Sequence, residues 1–267
     1  MLSVILIILL ILLVLLGLYV FVLVAPRGRI PSDERLFTAY AHRGLHGGNI
    51  PENSLAAFEK AVAEEYGIEL DVQLSKDGQV MVYHDYLLGR MTESDKKVCE
   101  LTGEELQQLS LAGTDEKIPT FKEVLGFVDG RVPLLVELKG EDFNTSLCVK
   151  VANLLKAYKG PYCIESFNPL LIKTMKKYLP DAFYGQLYTN VCREKNKKSV
   201  INILLTAMVF NFISRPDFIA YNKVDRNRLP VKLAIGLHRA VKFVWTVKGD
   251  DEYKVAESLK EYPIFER

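Results

Sequence analysis

The chain has 267 residues, 49% of them hydrophobic and 25% charged, which is enough apolar material for a sizeable core in one or two domains. Lysine and arginine number 34 against 33 aspartates and glutamates, which excludes the strong basic excess of nucleic-acid-binding proteins. The four cysteines are widely spaced, which argues against a zinc cluster or disulfide scaffold and indicates free thiols.

The first predicted element is an apolar helix. Residues 4–25 carry no charge, and as a helix they would span about 33 Å, enough to cross the core of a bilayer. A secretory signal has a shorter apolar region, a basic start and a small-residue cleavage site. We therefore expect residues 1–25 to form a retained single-pass membrane anchor rather than a cleaved signal.

The flanking charges suggest an orientation for this helix. Three arginines (Arg27, Arg29 and Arg35) follow it, and neither lysine nor arginine precedes it. The positive-inside rule then favours a cytoplasmic position for the rest of the chain. Residues 26–38, which begin with a proline and are mostly polar, are predicted to be a short linker.

From residue 39 onward, short β-rich runs alternate with helical patterns. Candidate strands are 39–42, 67–72, 80–84, 134–138, 162–165, 183–187, 217–221 and 242–247. Candidate helices are 54–66, 121–128, 145–158, 169–178 and 253–262. Eight strands with intervening helices predict an α/β fold, a (β/α)8 TIM barrel over residues 39–267. A doubly wound open sheet is the alternative, disfavoured because no glycine-rich phosphate fingerprint follows the first strand. The long stretch 85–119 predicts a small insertion after the third strand.

Charged residues occur near the ends of two of these strands. Side chains alternate across a strand, so Glu69 and Asp71 share one face, and Glu137 and Lys139 repeat the arrangement. Three carboxylates that converge inside a barrel suit one hard divalent cation, Ca²⁺ or Mg²⁺, which prefers oxygen ligands. The alternative is that these acids only form salt bridges with Lys139 and Arg43.

Two of the four histidines close predicted strands. His42 follows the first and His84 the third, where the active-site residues of a barrel lie. Together they form a candidate acid/base pair, although a lone strand-end histidine is more often a hydrogen-bonded core residue. His46 is expected to be a solvated loop residue and His238 a surface residue.

Polar residues around the first helix complete the candidate site. The guanidinium of Arg43, beside His42, can pair with two phosphate oxygens. Asn53 or Ser54 can cap the following helix. Helix capping does not explain Glu52, so we expect its side chain to contact and support the cation or His42. Asn53 is a second candidate for such a supporting contact.

These residues, in this order, resemble the glycerophosphodiester phosphodiesterase family, a barrel relative of phosphatidylinositol-specific phospholipase C, in a membrane-anchored bacterial form. The similarity spans about residues 39 to 250. The matching motifs are His42-Arg43-Gly44, Pro51-Glu52-Asn53-Ser54, Glu69-Leu70-Asp71-Val72, Lys76-Asp77-Gly78, His84-Asp85, Arg90-Met91-Thr92, Ile118-Pro119-Thr120, Glu137-Leu138-Lys139, Ser166-Phe167 and Trp245-Thr246-Val247.

The resemblance implies metal-dependent hydrolysis of glycerophosphodiesters to glycerol 3-phosphate and an alcohol. It implies His42 and His84 as the acid/base pair, and Glu69, Asp71 and Glu137 as ligands of one divalent ion. Substrate-binding residues by the same resemblance are Arg43 and Lys139 on the phosphate and Trp245 as a pocket wall. The family's last strand ends in an Asp-Pro, for which Glu266 is the candidate counterpart.

A second apolar stretch, residues 199–213, follows a basic cluster of Arg193, Lys195, Lys197 and Lys198. It is either a barrel helix packed on the sixth or seventh strand or an interfacial helix resting on anionic lipid. The second possibility would favour lysophospholipid substrates and a lysophospholipase D-like activity.

Two other functions stay open. One is the same enzyme with a different substrate, either lysophospholipids or polymeric glycerophosphate in a phospholipase D-like reaction, because the shape of the pocket depends on loops. The other, from a different class, is a non-catalytic barrel that binds lipid head groups, although pseudo-enzymes usually lose a histidine or metal carboxylate that is present here.

Overall fold

The computed structural model describes residues 1–31, 33–140 and 144–267. The strands in these ranges are β1 (Tyr40–Ala41), β2 (Gly67–Leu74), β3 (Val80–Val82), β4 (Leu134–Leu138), β5 (Tyr162–Ser166), β6 (Phe183–Tyr188), β7 (Phe218–Asn222), β8 (Val241–Lys248) and β9 (Tyr262–Glu266). The helices are α1 (Leu2–Leu18), α2 (Leu55–Ala63), α3 (Gly103–Gln108), α4 (Phe121–Val128), α5 (Ser146–Ala157), α6 (Pro169–Tyr178), α7 (Val191–Glu194), α8 (Val200–Thr206), α9 (Asn211–Ser214), α10 (Leu229–Lys232) and α11 (Gly249–Ser258).

Eight parallel strands close into a barrel. Neighbouring strands pair in the order β1, β2, β4, β5, β6, β7, β8 and β9, and β9 then pairs with β1. The predicted (β/α)8 architecture is therefore confirmed. Closure brings the carboxyl ends of all eight strands to one rim, which is where barrel enzymes carry their sites.

Two of the predicted strand assignments were wrong in detail. The third run, β3, pairs antiparallel with the end of β2 and belongs to a hairpin on the rim. The eighth barrel strand is β9, which was not predicted as a strand. Its first residue, Tyr262, was assigned to the end of the predicted helix 253–262, but the helix in this region is α11, which ends at Ser258. A β-rich run shows no strand direction in its sequence, and the five residues of β9 contain a proline, which is rare in central strands.

Local sequence signals explain several helix starts. Thr120 and Glu123 form a reciprocal capping box at the start of α4. The side chain of Asn168 caps α6, and Pro169 occupies its first turn, where a missing N–H costs nothing. Ser54 caps α2 by accepting a hydrogen bond from the amide of Ala57, which leaves Asn53 for another contact.

The barrel has two apolar layers. Outward side chains such as Ile68, Leu70 and Val136 are fully buried against the helices, as the alternation predicted. Inward side chains form a separate aromatic layer that includes Tyr40, Phe218 and Phe243. The inward acids Glu69, Asp71 and Glu137 lie beyond this layer, toward the carboxyl ends of the strands.

The predicted insertion is a small lobe beside the β2–β3 hairpin. It contains two short 3₁₀ turns and α3, and it has a core of its own. That core consists of Met81, Tyr83, Leu88, Val98, Leu101, Leu106, Leu111 and Ile118. The lobe therefore packs against the chain where β3 leads into His84.

The amino-terminal helix is apolar and exposed. Residues Leu2–Leu23 have a mean hydropathy of 3.5, and none of them is buried. The residues that directly follow α1 contact the barrel, since the Tyr19 hydroxyl donates to the carbonyl of Ala207 (3.1 Å) and the Asn211 amide donates to that of Val24 (3.0 Å). His238, expected at the surface, lies half-buried with Nε2 2.7 Å from the carbonyl oxygen of Val20.

The segment after this helix also contacts the barrel. The Arg29 guanidinium donates to the Ala182 carbonyl and pairs with Asp217 at 3.3 Å. Leu36 is buried and joins the inner aromatic layer together with Phe37. Arg29, Leu36 and Phe37 therefore lie at the end of the barrel opposite the carboxyl rim.

Candidate active site

Three carboxylates meet at the carboxyl rim of the barrel. Glu69 and Asp71 project from β2 and Glu137 from β4, and all three are at least nine-tenths buried. One oxygen from each lies within 4.8 Å of the corresponding oxygens of the other two. Their convergence follows from register, because Asp71 and Glu137 are directly paired across the two parallel strands.

Two cationic side chains, Lys139 and Arg43, lie against these acids. Lys139 Nζ is 3.1 Å from Asp71 Oδ1 and 3.0 Å from Glu137 Oε1. Arg43 Nε is 3.6 Å from Asp71 Oδ2, and its backbone amide donates to Glu69 at 2.8 Å. The salt bridges of the alternative interpretation are thus present.

A fourth acid was missed by sequence analysis. Glu165, near the end of β5, is 1% exposed and its backbone pairs with that of Glu137. Within the described part of the chain its Oε2 atom has no hydrogen-bond partner. The signal was present in the sequence, because alternation with the inward Cys163 places Glu165 on the inner face of the barrel.

The two cationic side chains, Arg43 and Lys139, are too few to neutralise all four acids. Burial, with repulsion from Asp71 and Glu137, raises the pKa of Glu69 well above its usual range. Burial also raises the pKa of Glu137 to about 7, although Lys139 opposes the rise. Burial acts in the same direction on Asp71, but Lys139 and Arg43 hold its pKa well below the usual range. A surplus of buried acids whose ionisation is disfavoured, with their oxygens clustered, is an environment that fits a hard divalent cation, because the cation would stabilise the ionised carboxylates.

The two predicted histidines lie at the same rim. His42 follows β1, with its Nε2 atom 4.0 Å from Glu69 Oε2 and its Nδ1 atom 2.7 Å from Glu266 Oε1. His84 has Nδ1 2.5 Å from Asp85 Oδ1. In each ring Nδ1 is held by a carboxylate, which leaves Nε2 as the nitrogen for proton exchange.

His84 reaches the rim by a different route from the one predicted. The β2–β3 hairpin rises above the barrel and returns, and the amide of Tyr83 donates to the carbonyl of Asp71 at 3.0 Å. Antiparallel β3 therefore leads His84 back to the acids. The predicted position of His84 at the rim is the same, although the strand that carries it runs in the opposite direction. Burial lowers the pKa of His84, and the Asp71 carboxylate opposes this effect.

Glu52 and Asn53 contact different members of the cluster. Glu52 pairs with Arg43 Nη1 at 2.9 Å and also with Arg90, so it supports the arginine rather than His42. Asn53 Nδ2 donates to Asp71 Oδ2 at 2.9 Å. The role of Arg90, which also pairs with Asp85, was not predicted.

Trp245 lies on β8 opposite the last residue of β7, and His46 lies in the loop after β1. Trp245 Nε1 donates to the carbonyl of Ala220 (3.0 Å), and its ring meets the edge of Phe167 at 5.7 Å between centroids. His46 is half-buried near His42 and Glu266, and burial lowers its pKa. It is therefore less solvated than the loop position suggested.

A cleft of about 1400 Å³ opens from one side of the acids. His84, Glu137 and Lys139 line its polar end, and residues of the insertion, β6, α6, α7, α8 and α9 contribute to the rest. The predicted helix 199–213 is in fact two short helices, α8 and α9, separated by a turn at residues 207–210.

A (β/α)8 barrel with acids, imidazoles and cationic side chains on its carboxyl rim has the architecture of an enzyme, and these groups suit a phosphate-ester substrate. The sequence profile of the Glycerophosphoryl diester phosphodiesterase family matches residues 42–265. The chain belongs to this family, and glycerophosphodiester hydrolysis is the activity that membership assigns to it.

Individual relatives agree with this assignment. The chain is 42% identical over 218 residues to YhdW of Bacillus subtilis (strain 168), whose name gives glycerophosphodiester phosphodiesterase as a provisional activity; the match covers 78% of this chain and 85% of YhdW. It is 36% identical over 160 residues to the glycerophosphodiester phosphodiesterase of Caldanaerobacter subterraneus subsp. tengcongensis, covering 55% and 65% of the two chains.

Solved structures share the fold. The glycerophosphodiester phosphodiesterase of Thermotoga maritima has a TM-score of 0.65 and 28% identity, over 85% of this chain and 94% of that one. A phosphodiesterase of Oleispira antarctica, in complex with the product sn-glycerol-3-phosphate, has a TM-score of 0.69 and 22% identity, over 86% and 92%.

Proposed function

We propose that this protein hydrolyses glycerophosphodiesters to glycerol 3-phosphate and an alcohol, with one divalent cation, at a membrane surface. The observation that carries the proposal is the convergence of two imidazoles, a group of buried acids and two cationic side chains on one rim. The Oleispira antarctica phosphodiesterase of the same fold binds sn-glycerol-3-phosphate, which supports the choice of product.

The proposed cation ligands are Glu69, Asp71 and Glu137. Support comes from the spacing of their oxygens and from an acid excess that Arg43 and Lys139 do not neutralise. Carboxylate oxygens are ligands for both Ca²⁺ and Mg²⁺, and we propose one of these two ions. Bound there, the ion would supply positive charge for the phosphate oxygens of the substrate.

The proposed proton-transfer groups are His42 as base and His84 as acid. The P–O bond to the departing alcohol breaks while the oxygen of an attacking hydroxyl bonds to phosphorus. If that hydroxyl belongs to water, glycerol 3-phosphate forms directly; if it belongs to the glycerol, a cyclic phosphate forms and water then opens it. His42 Nε2 takes the proton of that hydroxyl, and His84 Nε2 gives a proton to the departing alcohol. Support comes from the carboxylates on the two Nδ1 atoms, which fix the ring orientations.

Arg43, Lys139 and Trp245 are the proposed substrate-binding residues. The Arg43 guanidinium, held by Glu52, and the Lys139 ammonium offer donors to the phosphate oxygens. The Trp245 ring is proposed as an apolar wall for the glycerol moiety. Glu52 and Asn53 are proposed to support Arg43 and Asp71 respectively, since these are the groups that they contact.

We propose that residues 1–25 anchor the barrel in a membrane, with residues 26–38 as the connection and the barrel on the cytoplasmic side. The apolar, exposed helix and the three following arginines support this arrangement. The α8–α9 region is proposed to rest on the same bilayer, because Val200, Ile201 and Phe212 are exposed there beside the contacts of the anchor helix.

The test is turnover by the full chain, purified in detergent micelles, with a panel of glycerophosphodiesters. Each substrate is assayed with chelator and then with added Ca²⁺ or Mg²⁺, and phosphate-ester and alcohol products are identified. We expect glycerol 3-phosphate to be released only when a cation is present. Binding of the same diesters without turnover under every cation would overturn the proposal in favour of a head-group-binding barrel.

A further inference from the structure

A third histidine, which the proposed reaction does not use, lies beside His42. His46 is half-buried in the loop after β1, and within residues 1–31, 33–140 and 144–267 its buried Nε2 atom has no hydrogen-bond partner. Burial lowers the pKa of this ring, so it is neutral near pH 7, which is the form that binds a metal ion. A buried polar atom without a partner is rare in folded proteins, and binding of an ion there is one reason for it.

The loop that carries His46 has an ordered backbone. The amide of buried Leu45 donates to the carbonyl of Ala57 in α2 at 3.0 Å. Gly47 and Ile50 exchange two backbone hydrogen bonds, at 3.0 and 3.1 Å. The imidazole of His46 is therefore presented from a fixed position, which reduces the entropy that binding a ligand would cost.

Two further ligand atoms come from neighbouring strands. His42 follows β1 and Glu266 ends β9, and closure of the barrel places Nδ1 of His42 2.7 Å from Oε1 of Glu266. One ligand atom from each of His42, His46 and Glu266 lies within 4.8 Å of those of the other two. Two imidazoles and one carboxylate are a ligand set for Zn²⁺, which binds such atoms at about 2.0–2.2 Å and leaves its fourth position to water.

This ligand set differs in chemistry from the three carboxylates on the other side of His42. The Nε2 atom of His42 faces Glu69 at 4.0 Å, whereas its Nδ1 atom faces Glu266. Imidazole nitrogen suits transition ions such as Zn²⁺, whereas Ca²⁺ and Mg²⁺ prefer oxygen ligands. The ring of His42 therefore separates a site suited to a hard cation from one suited to Zn²⁺.

The surroundings of these side chains allow a cation to bind. Lys248 pairs with the other oxygen of Glu266 at 2.8 Å, but its side chain is 63% exposed, so water screens its charge. Ligands of a tetrahedral Zn²⁺ ion lie about 3.3 Å apart, so His42 and Glu266 would have to separate by roughly half an ångström. Both side chains are partly exposed at the rim, which leaves room for this movement.

We propose that His42, His46 and Glu266 form a Zn²⁺ site, and that Zn²⁺ bound there inhibits the enzyme. With Zn²⁺ on Nδ1, the neutral ring of His42 carries its proton on Nε2. That nitrogen then has no lone pair with which to accept the proton of the attacking hydroxyl. The inhibition rests on the proposed role of His42 as base, whereas the binding of Zn²⁺ does not.

Binding is measured with Co²⁺, which takes the same ligands as Zn²⁺ and absorbs visible light strongly when it is four-coordinate. The full chain in detergent micelles is titrated in excess Ca²⁺ and Mg²⁺, which keep the carboxylate site filled. We expect one equivalent of Co²⁺ to produce this absorption and Zn²⁺ to abolish it by displacement. His46→Gln removes one ligand and should require at least about tenfold more Co²⁺.

Inhibition is measured with the glycerophosphodiester that is turned over fastest, and each variant is compared with its own zinc-free rate. We expect Zn²⁺ to lower the wild-type rate at least about tenfold, and the half-inhibiting concentration to rise at least about tenfold in His46→Gln. His238→Gln removes the half-buried histidine that contacts Val20 and is the control, which should remain as sensitive to Zn²⁺ as the wild type. Circular dichroism verifies the folding of both variants.

The two proposals fail in different ways. The zinc site would be overturned by a wild type that shows no absorption from four-coordinate Co²⁺, a result that does not depend on any variant. Equal zinc sensitivity of the wild type and folded His46→Gln would also overturn it, and binding without inhibition would overturn the effect on His42. Absence of turnover with every substrate and cation would overturn the proposed function, while the Co²⁺ titration would still test the site.

Discussion

The Nδ1 atom of His42 lies 2.7 Å from Oε1 of Glu266, although 224 positions separate the two residues in the chain. Closure of the barrel creates this contact, because β1 and β9 are neighbouring parallel strands and the amide of His42 donates to the carbonyl of Phe265 at 2.9 Å. Both side chains are partly buried. The hydrogen bond from His42 holds the pKa of Glu266 well below its usual range. The last strand of the barrel therefore orients a side chain from the first.

Glu266→Gln is expected to lower kcat by about 10²-fold with a smaller change in KM. Glutamine keeps the size of the side chain but removes the charge that fixes the imidazole tautomer and stabilises the protonated ring. Steady-state kinetics on a glycerophosphodiester, with circular dichroism to verify folding, provides the measurement.

Two further variants sharpen that result. Lys248 pairs with the other oxygen of Glu266 at 2.8 Å, so Lys248→Met removes a partner of Glu266 without touching His42 and should reduce kcat far less. Adding Glu266→Gln to His42→Ala should cause little further loss, since the glutamate acts through the histidine. Full additivity of the two losses would show that Glu266 does not work through His42.

His42→Ala and His84→Ala are each expected to lower kcat by about 10²–10⁴-fold, because each removes one proton-transfer group. Both side chains are partly exposed at the rim, so the fold should survive the truncations. Single-turnover assays and thermal unfolding on the same preparations separate chemistry from stability. Near-normal turnover by either folded variant would remove that histidine from the proposed pair.

Ca²⁺ or Mg²⁺ is expected to raise the unfolding temperature of the protein. The cation would neutralise carboxylates that are buried in excess, and a ligand at about 100 times its Kd stabilises the folded state by about 2.7 kcal/mol. Thermal unfolding in chelator and in a cation titration measures this effect independently of catalysis. Glu137→Gln removes one proposed ligand and should diminish the shift, whereas an identical shift in this variant would argue against Glu137 as a ligand.

The stability of the folded chain is expected to rise between about pH 8 and pH 10 through Lys176. Burial lowers the pKa of this ammonium to about 8, whereas in the unfolded chain it is about 10.4. In that interval the unfolded state binds more protons, so the contribution of Lys176 to stability increases with pH.

Comparison with Lys176→Met isolates this contribution. The unfolding temperature of the wild type relative to the variant should increase from pH 7 to pH 9.5. Lys177→Met, at the exposed neighbouring position on α6, is the control and should follow the wild type. A gap between wild type and Lys176→Met that does not change with pH would contradict the prediction.

Much of the barrel could be predicted because its strands alternate regularly. In β2 and β4 the aliphatic side chains face the helices, and the charged ones, Glu69, Asp71 and Glu137, face the interior. Strand direction could not be predicted in the same way, since antiparallel β3 and the parallel strands have similar compositions. Glu165 was overlooked because one acid in an otherwise uncharged strand gives a weak signal until its neighbours are known.

The sequence by itself determined the alternation of strands and helices, the inner and outer faces of each strand, and the identity of most rim residues. These properties are local, because they depend on side-chain periodicity and capping over a few positions. Tertiary structure decided the pairing of His42 with Glu266, the return of β3 that places His84, and the cleft between the acids and α8–α9. Those features depend on which distant segments pack together, and closure of the barrel determines this packing, whereas local preferences do not.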